Sequence, residues 1–245
     1  MKFSREELNE ILTYLRHTYH RQGNTLKVRD FYDRVKPDEP PVLLIHGFLG
    51  TRGAMYPMEL RLRKDQFTVF SINLGLFNVG DIRRSAYKIH TKIKRILREV
   101  EMEKIDIVGH SMGGLIGLYY IKKLSGNEHV RKLITLGTPH RGTWTTLLGI
   151  ATLGVVSPSV WQLLPNNFFL RELQAAPLPD DVAYYSIAGS YDVVCPPLQC
   201  VLPGASSIEL PCGHAALATS TQVYEVVREI LLDNFPKNSE NGSLS

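Results

Sequence analysis

Ser111 lies in the run Gly109-His110-Ser111-Met112-Gly113, between the apolar stretch Ile105-Asp106-Ile107-Val108 and the helix-like stretch Leu115-Ile116-Gly117-Leu118-Tyr119-Tyr120-Ile121. A serine hydroxyl is a weak nucleophile until a neighbouring base takes its proton. A strand turning sharply into a helix at the serine holds the hydroxyl clear of the backbone, and small residues at 109 and 113 leave room for that turn. The chemistry served is attack on a carbonyl, which requires three further parts: donors for the negative oxygen, a base, and an acid that orients the base.

The donors are expected after an earlier strand. Pro41-Val42-Leu43-Leu44-Ile45 reads as buried strand and runs into His46-Gly47-Phe48-Leu49-Gly50. The backbone amides of Phe48 and of Met112, the residue after the nucleophile, are the candidate oxyanion hole. Gly47 is expected to supply a positive φ or a close approach.

Acid and base are expected downstream, in that order. Ala183-Tyr184-Tyr185-Ser186-Ile187-Ala188-Gly189 is strand-like, and Asp192 follows in the loop Ser190-Tyr191-Asp192-Val193-Val194-Cys195-Pro196-Pro197. Asp180 and Asp181 precede that strand beside prolines, where capping or solvation accounts for them. His214 follows the short strand Ser206-Ser207-Ile208-Glu209-Leu210 and is the candidate general base, imidazole being the side chain that titrates nearest neutrality. His17, His20, His90 and His129 sit in polar contexts. His46 and His110 suit packing and loop hydrogen bonding, and His140, after the strand Lys132–Leu136, is assigned a structural role.

The elements that must position these groups alternate. Strands are predicted near 42–46, 67–72, 105–109, 131–136, 183–189 and 206–210, and helices near 55–64, 81–100, 112–124 and 219–233, the last with Val223, Val226, Val227, Ile230 and Leu231 on one face. Apolar strands bounded by helices predict an α/β fold: a mainly parallel central sheet with helices on both faces and its ligand at the carboxyl ends of the strands. The alternation breaks at about 143–178, where a glycine-interrupted apolar stretch predicts a small cap. Trp144, Leu147, Leu148, Leu153, Trp161 and Leu164 are its candidate acyl-binding residues, and Asn166–Leu173 a short helix returning to the body. The stretch is too short and broken to read as a membrane span.

At the amino end, Ser4-Arg5-Glu6-Glu7 forms a capping box for a helix reaching about Tyr19, with Leu8, Ile11, Leu12, Leu15 and Tyr19 as its apolar face. Residues 1–36 are therefore expected as a helical extension packed on a hydrolase domain spanning 37–245, with contact to a lipid surface as the alternative use of that face. The charged start lacks the apolar core of a secretion leader, which favours a cytoplasmic protein unless a leader has been removed.

The 245 residues, 44% hydrophobic and 21% charged, suit one large core. The net charge of +4 is spread over several helices, and no nucleic-acid-binding signature appears, so nucleic acid is not an expected partner. Cys195, Cys200 and Cys212 cluster around the candidate acid and base. A Cys195–Cys200 or a Cys200–Cys212 bridge would brace those loops in an exported protein, while the odd count argues against a disulfide framework. No Cys/His/Asp cluster has metal-ligand spacing, so neither a metal nor a cofactor is expected.

From about Pro40 to Phe235 the chain resembles α/β-hydrolases of the bacterial triacylglycerol lipase and esterase group. The matching segments are VLLIHGFLG at 42–50, IVGHSMGG at 107–114, LITLGTPHRG at 133–142, LLPNNFFLREL at 163–173, GSYDVVCP at 189–196 and GHAAL at 213–217. The resemblance implies a Ser111, Asp192, His214 triad with Phe48 and Met112 amides at the oxyanion, hydrolysing carboxylic esters through an acyl-enzyme, and the apolar cap predicts acyl chains of medium length or longer, lipids included. An acyltransferase or a thioesterase with the same triad is the alternative. The basic helical extension before residue 40, the missing leader and the cysteine-rich loops depart from the group's pattern.

Overall fold

The computed structural model of the protein describes residues 5–19, 39–75, 78–146 and 157–235. Its centre is a six-stranded, all-parallel sheet built from β1 (Val42–Ile45), β2 (Val69–Ser71), β3 (Ile105–His110), β4 (Val130–Leu136), β5 (Ala183–Gly189) and β6 (Ser206–Leu210), in spatial order β2-β1-β3-β4-β5-β6. The register pairs Leu43 with Phe70, Leu44 with Val108, Val108 with Ile134, Thr135 with Ser186 and Ile187 with Ile208.

Each central strand is apolar on both faces because both are covered. Leu43, Ile45, Ile107 and Leu133 enter one core cluster, and Val42, Leu44, Val108 and Ile134 the other. This two-residue alternation assigns neighbouring side chains to opposite layers. Helix α3 (Ile82–Val100) packs on the first face through Ile82, Ala86, Ile89, Ile93 and Ile96, capped where Asp81 accepts from the Arg83 amide at 2.7 Å. Helix α4 (Met112–Lys123), which starts at the residue after Ser111, is buried over most of its length on the same side. Helices α2 (Tyr56–Lys64) and α9 (Thr221–Leu231) cover the other face. The remaining helices are α1 (Arg5–Tyr19), α5 (Pro158–Gln162), α6 (Phe168–Gln174), α7 (Pro197–Cys200) and α8 (Ala216–Thr219). No helix among the described residues is long and apolar enough to cross a membrane.

Two expectations change. The single helix at 219–233 is broken at Ser220, whose hydroxyl accepts from the Val223 amide at 3.1 Å and so starts α9 after the short α8. Helix α1 turns a different face to the body. Tyr14, His17 and Thr18 approach the sheet-bearing part of the chain, whereas Leu12, Leu15 and Tyr19 are exposed. The receiving surface explains this. The Thr51 hydroxyl donates to the Thr18 carbonyl, one of the C-terminal carbonyls a helix leaves open, and a β-carbon on Gly53 would lie 2.1 Å from the His17 oxygen. The side chains of Leu8 and Ile11 lie outside the described residues.

The chain visits β1, moves to the edge strand β2, then returns to place β3 on the other side of β1. Loops leaving the carboxyl ends of β1 and β3 therefore diverge over a crevice, the usual ligand position of an open parallel sheet. The loop after β1 is His46–Gly50 and the residue after β3 is Ser111.

Candidate active site

Ser111 has φ 54° and ψ −126°, a strained combination for a residue with a side chain. Its surroundings hold it there. The Ser111 amide donates to the Leu136 carbonyl at 2.8 Å, and its carbonyl accepts from the Thr138 hydroxyl at 2.9 Å and the Gly114 amide at 3.1 Å. The turn needs its small residues: a β-carbon on Gly113 would lie 2.3 Å from the Ile45 oxygen, and one on Gly109 2.6 Å from the Gly114 nitrogen.

The loop after β1 lies directly against this serine. A β-carbon on Gly47 would stand 2.8 Å from Ser111 Cβ and 3.4 Å from Ser111 Oγ. Gly47 thus serves close approach, while the left-handed residue of the loop is Leu49, with φ 52°. Met112 is the first residue of α4, so its amide has no intrahelical acceptor, and the Phe48 amide makes no backbone hydrogen bond among the described residues. His46 braces the loop by donating from Nδ1 to the Gly47 carbonyl at 3.1 Å. Burial pushes its pKa down to about 4, so the ring stays neutral.

Asp192 and His214 meet. His214 Nδ1 lies 2.6 Å from Asp192 Oδ2, and since a carboxylate accepts, Nδ1 carries the hydrogen, which in the neutral ring leaves the lone pair on Nε2. The other carboxylate oxygen accepts from the amides of Val194 at 2.9 Å and Cys195 at 2.7 Å. Asp192 is buried and His214 partly exposed.

What joins this pair to Ser111 is the segment after β4. Leu136 and Thr138 bind the Ser111 backbone on either side of Gly137. A β-carbon on Gly137, whose φ is +57°, would lie 3.1 Å from both Asp192 Oδ2 and His214 Nδ1. His110 makes a second link. Its Nε2 donates to the His214 carbonyl at 3.0 Å, and the two rings are 4.8 Å apart, centre to centre. Burial, then the neighbouring His214, drops the His110 pKa to about 3. Tyr14 of α1 packs behind, its ring tilted 52° to that of His110 and 5.6 Å from it, and burial raises its phenol to about 12. On the other side the Tyr19 hydroxyl reaches the Leu49 carbonyl at 3.5 Å. Helix α1 therefore touches both the loop after β1 and the pair of His110 and His214.

Gly137 and Tyr14 are the site residues that sequence reasoning missed. The signal for Gly137 was its position, the first residue after a strand whose neighbours also end at the site. Tyr14 had none, being three turns into a helix far away in sequence. His140 is buried, its Nε2 3.2 Å from the Thr135 hydroxyl, and burial holds its pKa at about 3, which keeps it neutral. Trp144 and Trp161 are exposed and Leu164 half-buried, while Leu147, Leu148 and Leu153 lie outside the described residues. A separate cleft of about 460 Å³, lined by Leu118, Lys122, His140, Arg141 and Leu170 among others, does not include Ser111. The site is thus picked out by its chemistry and not by the size of a hollow. Among the described residues no group of three or more His, Cys, Asp or Glu converges as a metal centre requires.

Comparison with known proteins agrees with this architecture. A family profile described as the alpha/beta hydrolase fold matches residues 40–156. A triacylglycerol lipase of Pseudarthrobacter phenanthrenivorans is 29% identical over 110 residues, covering 42% of this chain and 34% of that protein. Human epoxide hydrolase 4 is 31% identical over 112 residues, covering 44% of this chain and 30% of that protein. The matches thus span about a third of the length of these curated relatives. Among solved structures, Bacillus licheniformis lipase BlEst2 in its propeptide form superposes with a TM-score of 0.74 at 19% identity, covering 86% of this chain and 54% of that one. The chain has the α/β-hydrolase fold, with lipases and esterases among its structural neighbours.

Proposed function

We propose that this α/β-hydrolase-fold chain is a serine carboxylesterase of the bacterial triacylglycerol lipase and esterase type, with Ser111 as nucleophile, His214 as general base and Asp192 as its orienting acid. The observation that carries the reading is the 2.6 Å Asp192–His214 contact beside Gly137, whose flanking residues hold the strained Ser111. His214 Nε2 takes the proton as Ser111 Oγ attacks the ester carbonyl, and Asp192 stabilises the imidazolium. The Phe48 and Met112 amides receive the oxyanion. His214 then protonates the departing alcohol, and water repeats the sequence against the acyl-serine. No side-chain hydrogen bond joins Ser111 to His214 among the described residues, a looseness common in substrate-free sites.

The serine also selects among reactions on this fold. Attack on an epoxide would leave an alkyl ether, which water and an imidazole do not release, whereas an acyl-serine hydrolyses. Resemblance to a protein named epoxide hydrolase therefore does not extend to its reaction.

The substrate is an acyl ester or lipid. The segment at about 143–178 acts as a cap, with Trp144, Trp161 and Leu164 bordering an acyl groove. Each buried methylene contributes about 0.8 kcal/mol, so activity should climb from acetate towards butyrate and octanoate. A p-nitrophenyl ester panel run with wild type and Ser111→Ala tests both levels. Turnover confined to wild type supports the esterase, and a steady decline from acetate onward removes the acyl groove while sparing the esterase. Turnover retained by Ser111→Ala removes the proposed nucleophile.

A further inference from the structure

Two thiols that the proposed chemistry does not use lie beside the catalytic acid. Cys195 Sγ and Cys200 Sγ are 3.3 Å apart and both residues are buried. We propose that Cys195 and Cys200 are a redox pair that closes to a disulfide and thereby fixes the loop holding Asp192.

The distance is the first reason. A disulfide bond is about 2 Å long, so the sulfurs must approach by only about 1 Å. Anchoring is the second. The Cys195 amide donates to Asp192 Oδ1 at 2.7 Å, and the Cys200 carbonyl accepts from the Ser186 hydroxyl of β5 at 2.6 Å. A bond between the sulfurs would thus tie the carboxylate's own donor to the sheet. Segregation is the third: Cys195 and Cys200 form a small apolar cluster with Ala188, whereas Cys212 packs in the core on the α9 side. The neighbours of this pair in sequence, Tyr191, Val193, Val194 and Leu198, are exposed.

A low-molecular-weight disulfide serves as oxidant. One protein thiolate attacks it, forming a mixed disulfide and expelling one reagent thiolate. The second protein thiolate attacks the protein sulfur of that mixed disulfide and expels the other. Two protein thiols become one disulfide, and the reagent takes up two electrons and two protons. In the reduced form the hydrogen bond that the Cys195 thiol shares with Cys200, together with burial, holds that thiol well above its ordinary pKa. The closed loop is therefore unreactive, and exchange proceeds during folding or loop opening.

The bridge stands on its own geometry, and only its consequence for catalysis rests on Asp192 being the catalytic acid. The test refolds the full chain from denaturant in oxidised glutathione and in dithiothreitol, alkylates both samples and maps the peptides. The oxidised chain is expected to be about 2 Da lighter before alkylation, and its peptides to show Cys195 joined to Cys200 and Cys212 alkylated. Bridges to Cys212, stable glutathione adducts or three alkylated cysteines would overturn the pairing. Chymotryptic cleavage after Tyr191 or Leu198 should be roughly tenfold slower in the oxidised form. Equal cleavage rates would overturn the bracing. Both readouts are independent of turnover, so a fluorophosphonate that fails to label Ser111 in either sample would count against the esterase alone.

Discussion

Replacing Gly137 by alanine places one methyl group against three atoms. Its β-carbon would meet Leu217 Cδ1 at 2.7 Å and Asp192 Oδ2 and His214 Nδ1 at 3.1 Å, from a backbone with φ +57°. The left-handed conformation costs alanine about 1–2 kcal/mol, and forcing a methyl into a packed site costs about 1–3 kcal/mol more. The sum, about 2–5 kcal/mol, corresponds to a fall in Tm of roughly 5–15 °C for a chain of this size. The loss in rate should exceed what stability explains, because the methyl presses on the hydrogen-bonded pair itself. A misplacement of about 1 Å is worth roughly 10²-fold. Measured on folded protein well below its Tm, Gly137→Ala should lose about that factor in p-nitrophenyl ester turnover and in the rate of fluorophosphonate labelling. Gly80→Ala is the control, since nothing lies within 4 Å of its added carbon and its φ is not positive. Gly137→Ala behaving like Gly80→Ala in both Tm and rate would refute the reasoning.

Asp192→Asn should leave the fold intact yet lower kcat by up to about 10⁴-fold, through loss of the His214 tautomer; a loss under tenfold in ester turnover would show that another group orients the base. Stability should fall on acidification. His46, His110 and His140 are held neutral by burial, at about 4, 3 and 3, so below pH 6.5 the unfolded chain binds protons that the folded chain does not. Their contribution is present above that pH and is lost as pH falls towards 4 and 3. Between pH 7 and pH 5 this amounts to about 2 kcal/mol per ring, and urea denaturation at the two values giving equal stability would contradict it. Glu59→Ala should cost about 3–5 kcal/mol in the same assay, because it strips the buried carboxylate from Arg52 at 2.9 Å and Arg63 at 2.8 Å; a cost below about 1 kcal/mol would mean the arginines find other partners.

The sheet was legible because its strands carry their signal locally. Apolar residues on both faces, broken by glycine and polar loops, located β3 to β6 to within about a residue, and the doubly covered parallel arrangement followed from the alternation with helices. That Ser111 would close β3 and that Asp192 and His214 would follow β5 and β6 was legible for a related reason, since order along a parallel sheet brings loops at one edge together. What was not legible depends on surfaces that sequence does not display. The apolar stripe of α1 named Leu12 and Leu15 as its buried side, yet the body offers that helix a hydroxyl at Thr51 and a histidine ring at 110, and these select Thr18 and Tyr14. The break at Ser220 was hidden because helix period and cap compete over a single residue. Gly137 was marked only by its position after β4, because its role lies in the side chain it lacks.

The seat of α1 has a consequence for how this molecule can be inherited and rebuilt. Every group proposed for bond breaking lies beyond residue 40, yet Tyr14 packs behind His110 and Tyr19 reaches Leu49 from helix α1, which lies outside the sheet. The hydrolase body is consequently not portable. Transplanted without its first helix, it would keep Ser111, Asp192 and His214 while losing the ring packed behind His110 and the tether on the loop after β1. A change in that helix would reach His110 and Leu49 while Ser111, Asp192 and His214 stay unchanged.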